Sequence, residues 1–340
     1  MSLVYLRKTL KWIAFSSFLL ILTFQLEAQT LPIQHQADVQ IQSLYQKLEK
    51  SSTLTMAKRI ENFSAEFIGK PYLLGALGEG SEARFDQYPQ YRTDAFDCDT
   101  YVTTVLALAL AANKQGFQHC LAKIRYKNGN IDFLSRNHFI SMDWNPNNQN
   151  QHFIKDITSS IKNRNNQSIV KIALALIDKP SWYQRFSQQK VRLQAANETE
   201  QNLRLVELKQ RGTQLQKRQV SIPYIPLSAL FNHKAHPDLF IFAQIPHAAI
   251  IEIVRPNWNL REIIGTNLNV SHLGFAIWKN NTLFFRQASS QYGKVIDVPL
   301  IPYLKEALAS PTIKGINIEI VLPQTPLDKF CSWQSTQILQ

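Results

Sequence analysis

An α+β arrangement follows from three features of this chain: helical spacing of apolar residues in its first part, a helix without a polar face beginning near Cys98, and short β-rich runs after Pro226. The expected architecture is a set of N-terminal helices packed on an antiparallel β-sheet or partial barrel. Of the 340 residues, 45% are hydrophobic and 18% charged, which places the chain among globular rather than disordered proteins. Its net charge of +12 favours acidic partners. No nucleic-acid module and no internal repeat occurs, so no nucleic-acid partner is expected.

The chain opens with Arg7, Lys8 and Lys11, an apolar stretch from Trp12 to Phe24, and Leu26-Glu27-Ala28. That is the layout of a secretory signal, cleaved after Ala28, with one domain over 29–340 and a periplasmic or secreted location. The apolar stretch is shorter than the about 20 residues of a membrane-spanning helix, and an uncleaved anchor is the alternative.

Over residues 31–70, "VQIQSLYQKLEK" and "MAKRIENFSAEFIG" carry apolar residues at spacings of three and four, with Gly69 as a stop. "GKPYLLGALGEG" then predicts a loop leading towards Cys98. From Asp97, "DCDTYVTTVLALALAANKQG" is apolar nearly all round, which predicts a buried helix capped by Asp97 or Asp94. Cys98 would stand in its first turn.

A polar insertion, helical in character, is expected at about 147–225, and its charge is that of a solvated face. Within it, "SIVKIALALIDKPSWYQRF" is expected to be a helix ended near Pro180. After Pro226, "AAIIEIVRP", "SHLGFAIW", "TLFFRQAS", "KVIDVPL" and "GINIEIVLP" predict strands, with Lys279-Asn280-Asn281 as a hairpin bend.

Three cysteines, Cys98, Cys120 and Cys331, leave one unpaired in any disulfide scheme, and their spacing does not separate the three pairings. Cys120 with Cys331 is the pairing that leaves Cys98 free. A thiol at a helix N-terminus gains thiolate character from unpaired backbone N–H groups, while Asp97 and Asp99 oppose that shift. A cationic partner is therefore needed, and histidine supplies one that also moves the proton. Among the eight histidines, His35, His119, His152, His233 and His236 lie in polar or loop-like surroundings and His247 precedes a strand. His138 and His272 have more suggestive neighbours. His272 opens a strand with Gly274 close by, and Gln287 falls near the same end of the next strand. A glutamine amide accepting Nδ1–H would fix the imidazole tautomer and leave Nε2 to face the thiol. Cys98, His272 and Gln287 thus make a nucleophile, a base and an orienting group. No HExxH-type pair or zinc-like histidine spacing occurs, so no metal is expected.

The succession "GKPYLLGAL", "FDCDTYV", "SRNHFISMDW", "SHLGFAI" and "FFRQASS" over about residues 60–320 resembles the NlpC-type cysteine peptidases, a papain-like superfamily that cuts amide bonds in peptidoglycan. More narrowly it resembles the N-acetylmuramoyl-L-alanine amidase-like branch. The resemblance implies a papain-like fold, Cys98 as nucleophile, His272 as general base and Gln287 as third member. The branch usually has histidine in that third place; glutamine orients the ring but cannot share a proton. Tyr72 matches the tyrosine of the superfamily's G-x-P-Y loop and is implied to assist the oxyanion. Arg136, His138, Trp144 and Ser289 are implied substrate contacts. Asp99 stands where the branch more often has threonine, and Thr103 where it often has glutamate.

The implied reaction hydrolyses the amide between N-acetylmuramic acid, including its 1,6-anhydro form, and L-alanine through a cysteine acyl-enzyme. Peptidoglycan fragments are the implied partners, and no cofactor is called for. The alternatives are a stem-peptide endopeptidase with the same machinery and a catalytically silent wall-binding protein.

Overall fold

In a computed structural model of the chain, which describes residues 33–49, 54–194 and 197–331, apolar patterning resolves into helices packed on both faces of a sheet. The expected signal segment and its cleavage site lie outside the described residues. Helices α1 (Ile33–Glu49) and α2 (Met56–Ala65) bury Ile41, Leu44, Ile60 and Phe63 at the expected spacings. Thr55 caps α2 by accepting from Lys58 N.

The central helix α3 (Cys98–Leu110) buries every residue from Thr100 to Leu110. Its first turn is closed reciprocally: Asp97 Oδ1 accepts from Thr100 N at 2.8 Å, and Thr100 Oγ1 accepts from Asp97 N at 2.9 Å. Full burial of each Leu and Val on this helix stabilises the fold by about 1.5–3 kcal/mol. Asn113 caps α4 (Lys114–Arg125), which packs beside α3.

The sheet has eight strands: β1 (Ile154–Asp156), β2 (Lys171–Asp178), β3 (Lys217–Pro226), β4 (Ile250–Asn259), β5 (Asn267–Lys279), β6 (Thr282–Ser289), β7 (Lys294–Pro299) and β8 (Gly315–Val321). Their order is β2-β3-β8-β4-β5-β6-β7, with β1 on β8, and every pairing is antiparallel. The five strands expected after Pro226 are present. Lys279 pairs with Thr282, and Asn280 and Asn281 between them have φ of 47° and 61°, as a tight hairpin turn demands.

Strand alternation sends Leu273, Phe275 and Ile277 of β5 towards α3, while Ala276 and Phe285 face the other core beneath helix α8 (Leu300–Ala307). Ile253 pairs with His272 and Val254 with Val270, so Ser271 is an extra residue that bends β5 just before His272.

The insertion differs from expectation. Instead of one helix ended near Pro180, residues 171–178 form β2, and Pro180 lies in the first turn of helix α6 (Lys179–Gln184). Both faces of "IALALI" are apolar, which hides its period of two: Ala173, Ala175 and Ile177 are buried while Ile172, Leu174 and Leu176 are exposed. The surface helix α7 (Glu198–Gly212) is present, capped by Asn197. Segment 147–225 thus contributes strands to the sheet as well as helices.

Cys120 on α4 and Cys331 form a disulfide with a sequence separation of 211 residues, and Cys98 is free. Cross-linking so long a loop restricts the unfolded chain strongly. The double variant Cys120→Ala/Cys331→Ala should lose about 2–5 kcal/mol of stability in urea unfolding while keeping its circular dichroism spectrum. An unchanged midpoint would contradict this account.

Candidate active site

The site begins with the loop before α3. Tyr72 N donates to Gly293 O at 2.8 Å, Phe96 N to Pro71 O at 3.0 Å and Leu73 N to Phe96 O at 2.9 Å. The segment around Tyr72 is therefore held between the chain entering α3 and the turn before β7. Asp97 adds a further tie, because its Oδ2 accepts from Gly75 N at 2.8 Å. This carboxylate holds the loop with one oxygen and caps the helix with the other.

Cys98 is half-buried at the first position of α3, and the backbone N–H groups of Leu273 and Asp99 act to lower its thiol pKa. Leu273 follows His272 directly in β5, and its side chain packs in the core that Cys98 also borders. Burial pushes the Cys98 thiol up to about 12, and the charges of Asp97 and Asp99 act in the same direction. Burial pulls His272 down to about 4, against the opposing effect of its bond with Gln287. At neutral pH the resting pair is thus an uncharged thiol and an uncharged imidazole.

Gln287 Oε1 contacts His272 Nε2. An amide oxygen only accepts, so Nε2 carries the proton and Nδ1 holds the lone pair. The structure brings His272 and Gln287 together as the spacing suggested, but with the ring turned over: Nε2, not Nδ1, meets the amide. Gly274 permits the close approach of β5 and β6 here, since a Cβ on it would stand 2.6 Å from Arg286 O.

Tyr72 is half-buried, and its phenol is raised to about 12 by burial first, then by Cys98 and Asp97. It remains a proton donor at working pH. Tyr303 on α8 is a second phenol within electrostatic reach of Cys98, raised to about 12 chiefly by burial. Its ring stands 5.2 Å from Phe285, which meets His272 edge-on at 5.6 Å. No motif flagged Tyr303, because only the return of α8 beneath the sheet brings it here.

A cavity of about 490 Å³ is lined by the residues on either side of Cys98, Asp97 and Asp99, with Arg136, His138, Trp182 and Lys190 among its other walls. Arg136 is committed to the protein, paired with Glu79 and, at 3.2 Å, with Asp86. Asp86 also holds Arg192, whose Nη1 donates to Gly75 O at 2.6 Å and whose Nη2 donates to Leu77 O at 3.0 Å. Through Arg192, the insertion braces the Tyr72 loop.

His138 lines the cavity with Nε2 3.0 Å from Phe133 O, its ring 4.6 Å from Trp182. Burial holds it well below the usual histidine range, so it is neutral. Trp144, 1% exposed, belongs to the main core, and Ser289, also buried, accepts from Tyr292 N at 3.3 Å. Neither lines this cavity. Asp99 does, with Thr103 Oγ1 3.3 Å from its carboxylate and its pKa raised to about 6, mainly by burial. Among the described residues, no group of three or more His, Cys, Asp and Glu is placed to hold a metal ion.

A family model described as AmiA-like, N-acetylmuramoyl-L-alanine amidase-like, matches residues 62–313. A Legionella pneumophila crystal structure carrying the family model DUF1460 is 55% identical, with a TM-score of 0.83 over 86% of this chain and 96% of its own. The structure of an N-acetylmuramoyl-L-alanine amidase from Bacteroides uniformis is 25% identical, with a TM-score of 0.55 over 79% of this chain and 99% of its own. No curated protein matched the chain.

With its thiol held near 12, Cys98 should be alkylated by iodoacetamide at a rate that still climbs between pH 8 and pH 10. A plateau in that interval would contradict the neutral resting pair. Asp99 is ionised at pH 8, so Asp99→Asn should lower the thiol pKa and speed alkylation roughly threefold to tenfold, as read by mass spectrometry.

Proposed function

The chain belongs to the AmiA-like, N-acetylmuramoyl-L-alanine amidase-like family, and from that membership we propose that it hydrolyses the amide between N-acetylmuramic acid and L-alanine in peptidoglycan fragments, with Cys98 as nucleophile. The observation that carries this reading is the free Cys98 at the head of a buried helix, together with the contact of His272 with Gln287 on the two strands packed against that helix. The same arrangement supports kinship with the papain-like NlpC-type enzymes.

In the proposed reaction, substrate entering the cleft brings its lactyl carbonyl to the thiol. His272 Nδ1 takes the thiol proton as sulfur attacks, so the charge-separated pair forms only as the new C–S bond does. The oxyanion receives a hydrogen bond from the Tyr72 phenol and one from a backbone N–H at the α3 N-terminus. As the C–N bond breaks, His272 returns the proton to the departing amine of L-alanine. Water activated by the same nitrogen then attacks the thioester, releasing the muramyl acid and restoring the thiol. No step draws on a cofactor. The 1,6-anhydro sugar is part of the proposed substrate range.

The Cys120–Cys331 disulfide supports an exported location, periplasmic or secreted, since structural disulfides persist in oxidising compartments.

Product analysis tests the reading. Wild type should convert N-acetylmuramoyl-peptides to free muramyl sugar and an intact peptide with an N-terminal L-alanine, while Cys98→Ala and His272→Ala, shown to be folded, should release neither. Cleavage within the peptide would point instead to a stem-peptide endopeptidase, and binding without cleavage to a silent wall-binding protein. Tyr72→Phe should lower kcat by about 100-fold. His272 must be neutral to accept a proton, so kcat/KM should hold at neutral pH and fall as the pH drops through about 4.

A further inference from the structure

Arg255 on β4 is a half-buried cation for which the proposed chemistry has no use. Its Nε is 3.0 Å from Ser271 Oγ, on the residue before His272, and its Nη1 is 2.6 Å from Thr312 Oγ1. The guanidinium lies over the Trp258 ring at 4.3 Å. Two hydroxyls and an indole thus fix the fork without neutralising it. Among the described residues no carboxylate forms an ion pair with Arg255, in contrast to Arg136, Arg192 and Arg286. Burial lowers its pKa, as expected of a cation kept from water without an anion beside it.

The position of this group matters. Ile253, two residues earlier on β4, pairs with His272, and strand alternation puts Arg255 on the same face. The Tyr303 phenol lies within electrostatic reach of both Arg255 and Cys98. A guanidinium fixed in one orientation, with N–H groups uncommitted, held on the residue next to the candidate base, matches a planar carboxylate.

We propose that Arg255 binds a carboxylate on the peptide portion of the substrate and so selects acidic stem peptides. This rests on the muramoyl-amidase reading. In such a substrate the lactyl carboxyl is consumed in the scissile amide, so the sugar side offers no carboxylate. The anion must lie on the peptide, and the D-glutamyl residue after L-alanine is the first to carry one. Arg255 would therefore mark the side of the cleft that holds the departing peptide.

The test compares N-acetylmuramoyl-L-alanyl-D-glutamic acid with its diamide. Wild type should favour the diacid in kcat/KM by about 10- to 100-fold, the range for a hydrogen-bonded charge. Arg255→Gln should raise KM for the diacid by a similar factor, with kcat and diamide turnover little changed, and Arg255→Lys should recover part of the loss. Thermal unfolding of each variant keeps a folding defect from passing as lost recognition. Equal handling of the two substrates by wild type, or an equal loss on both in Arg255→Gln, would overturn the proposal. If wild type cleaves neither, the hydrolytic reading falls, and calorimetry decides Arg255 by itself. The diacid should then bind Cys98→Ala at least 10-fold more tightly than Cys98→Ala/Arg255→Gln; equal affinity, or no binding to either, rejects the assignment.

Discussion

Asp97 divides its carboxylate between two jobs, and the geometry of the site depends on that division. One oxygen closes the first turn of the helix that carries Cys98; the other receives Gly75 N from the loop that carries Tyr72. Without the cap, the unpaired N–H groups of that turn would lose their alignment beneath the sulfur. Without the loop contact, Tyr72 would depend on the short backbone pairings with Phe96 and Gly293 alone. An acidic residue beside a nucleophilic thiol raises its pKa and so looks unfavourable; here the same charge fixes the position of both partners.

The electrostatic character of the site follows from burial more than from any single charge. A thiol held at about 12 and an imidazole at about 4 do not exchange a proton spontaneously at neutral pH. A buried, uncharged cysteine is protected from casual oxidation and alkylation as an exposed thiolate is not. In the proposed reaction, reactivity is supplied by bound substrate, whose developing oxyanion and departing amine provide the charges the resting site lacks. Glutamine in the third position agrees with this: it sets the ring orientation without adding negative charge to stabilise an imidazolium.

Much of this was legible in the chain because the relevant signals are local. The β-runs after Pro226 alternate cleanly, the two asparagines mark their turn, and the helix from Cys98 lacks any polar face. The pairing of His272 with Gln287 was readable from two strands separated by a tight hairpin. Residues 168–186 misled because alanine and leucine alternate there, so both strand faces read as apolar and the run resembled a buried helix. The orientation of the His272 ring depends on side-chain rotation, which spacing does not encode. Tyr303 and Arg255 carry no motif, and Trp144 carried one while belonging to the core. What places Tyr303 is the return of its helix beneath the sheet, and what places Arg255 is the pairing of β4 with β5, both non-local properties.

The hold of Asp86 on Arg136 and Arg192 has an evolutionary consequence. Three charges from distant parts of the chain share one buried centre, so no single step away from the arrangement is neutral. Losing Asp86 leaves two guanidiniums crowded together, and losing either arginine unseats a wall of the cavity. Changes at these positions are therefore expected to be strongly non-additive, with the trio inherited or replaced as a set. A lineage that dropped the insertion would have to rebuild the cavity wall beside Cys98, so this excursion of the chain is tied to the cavity it borders.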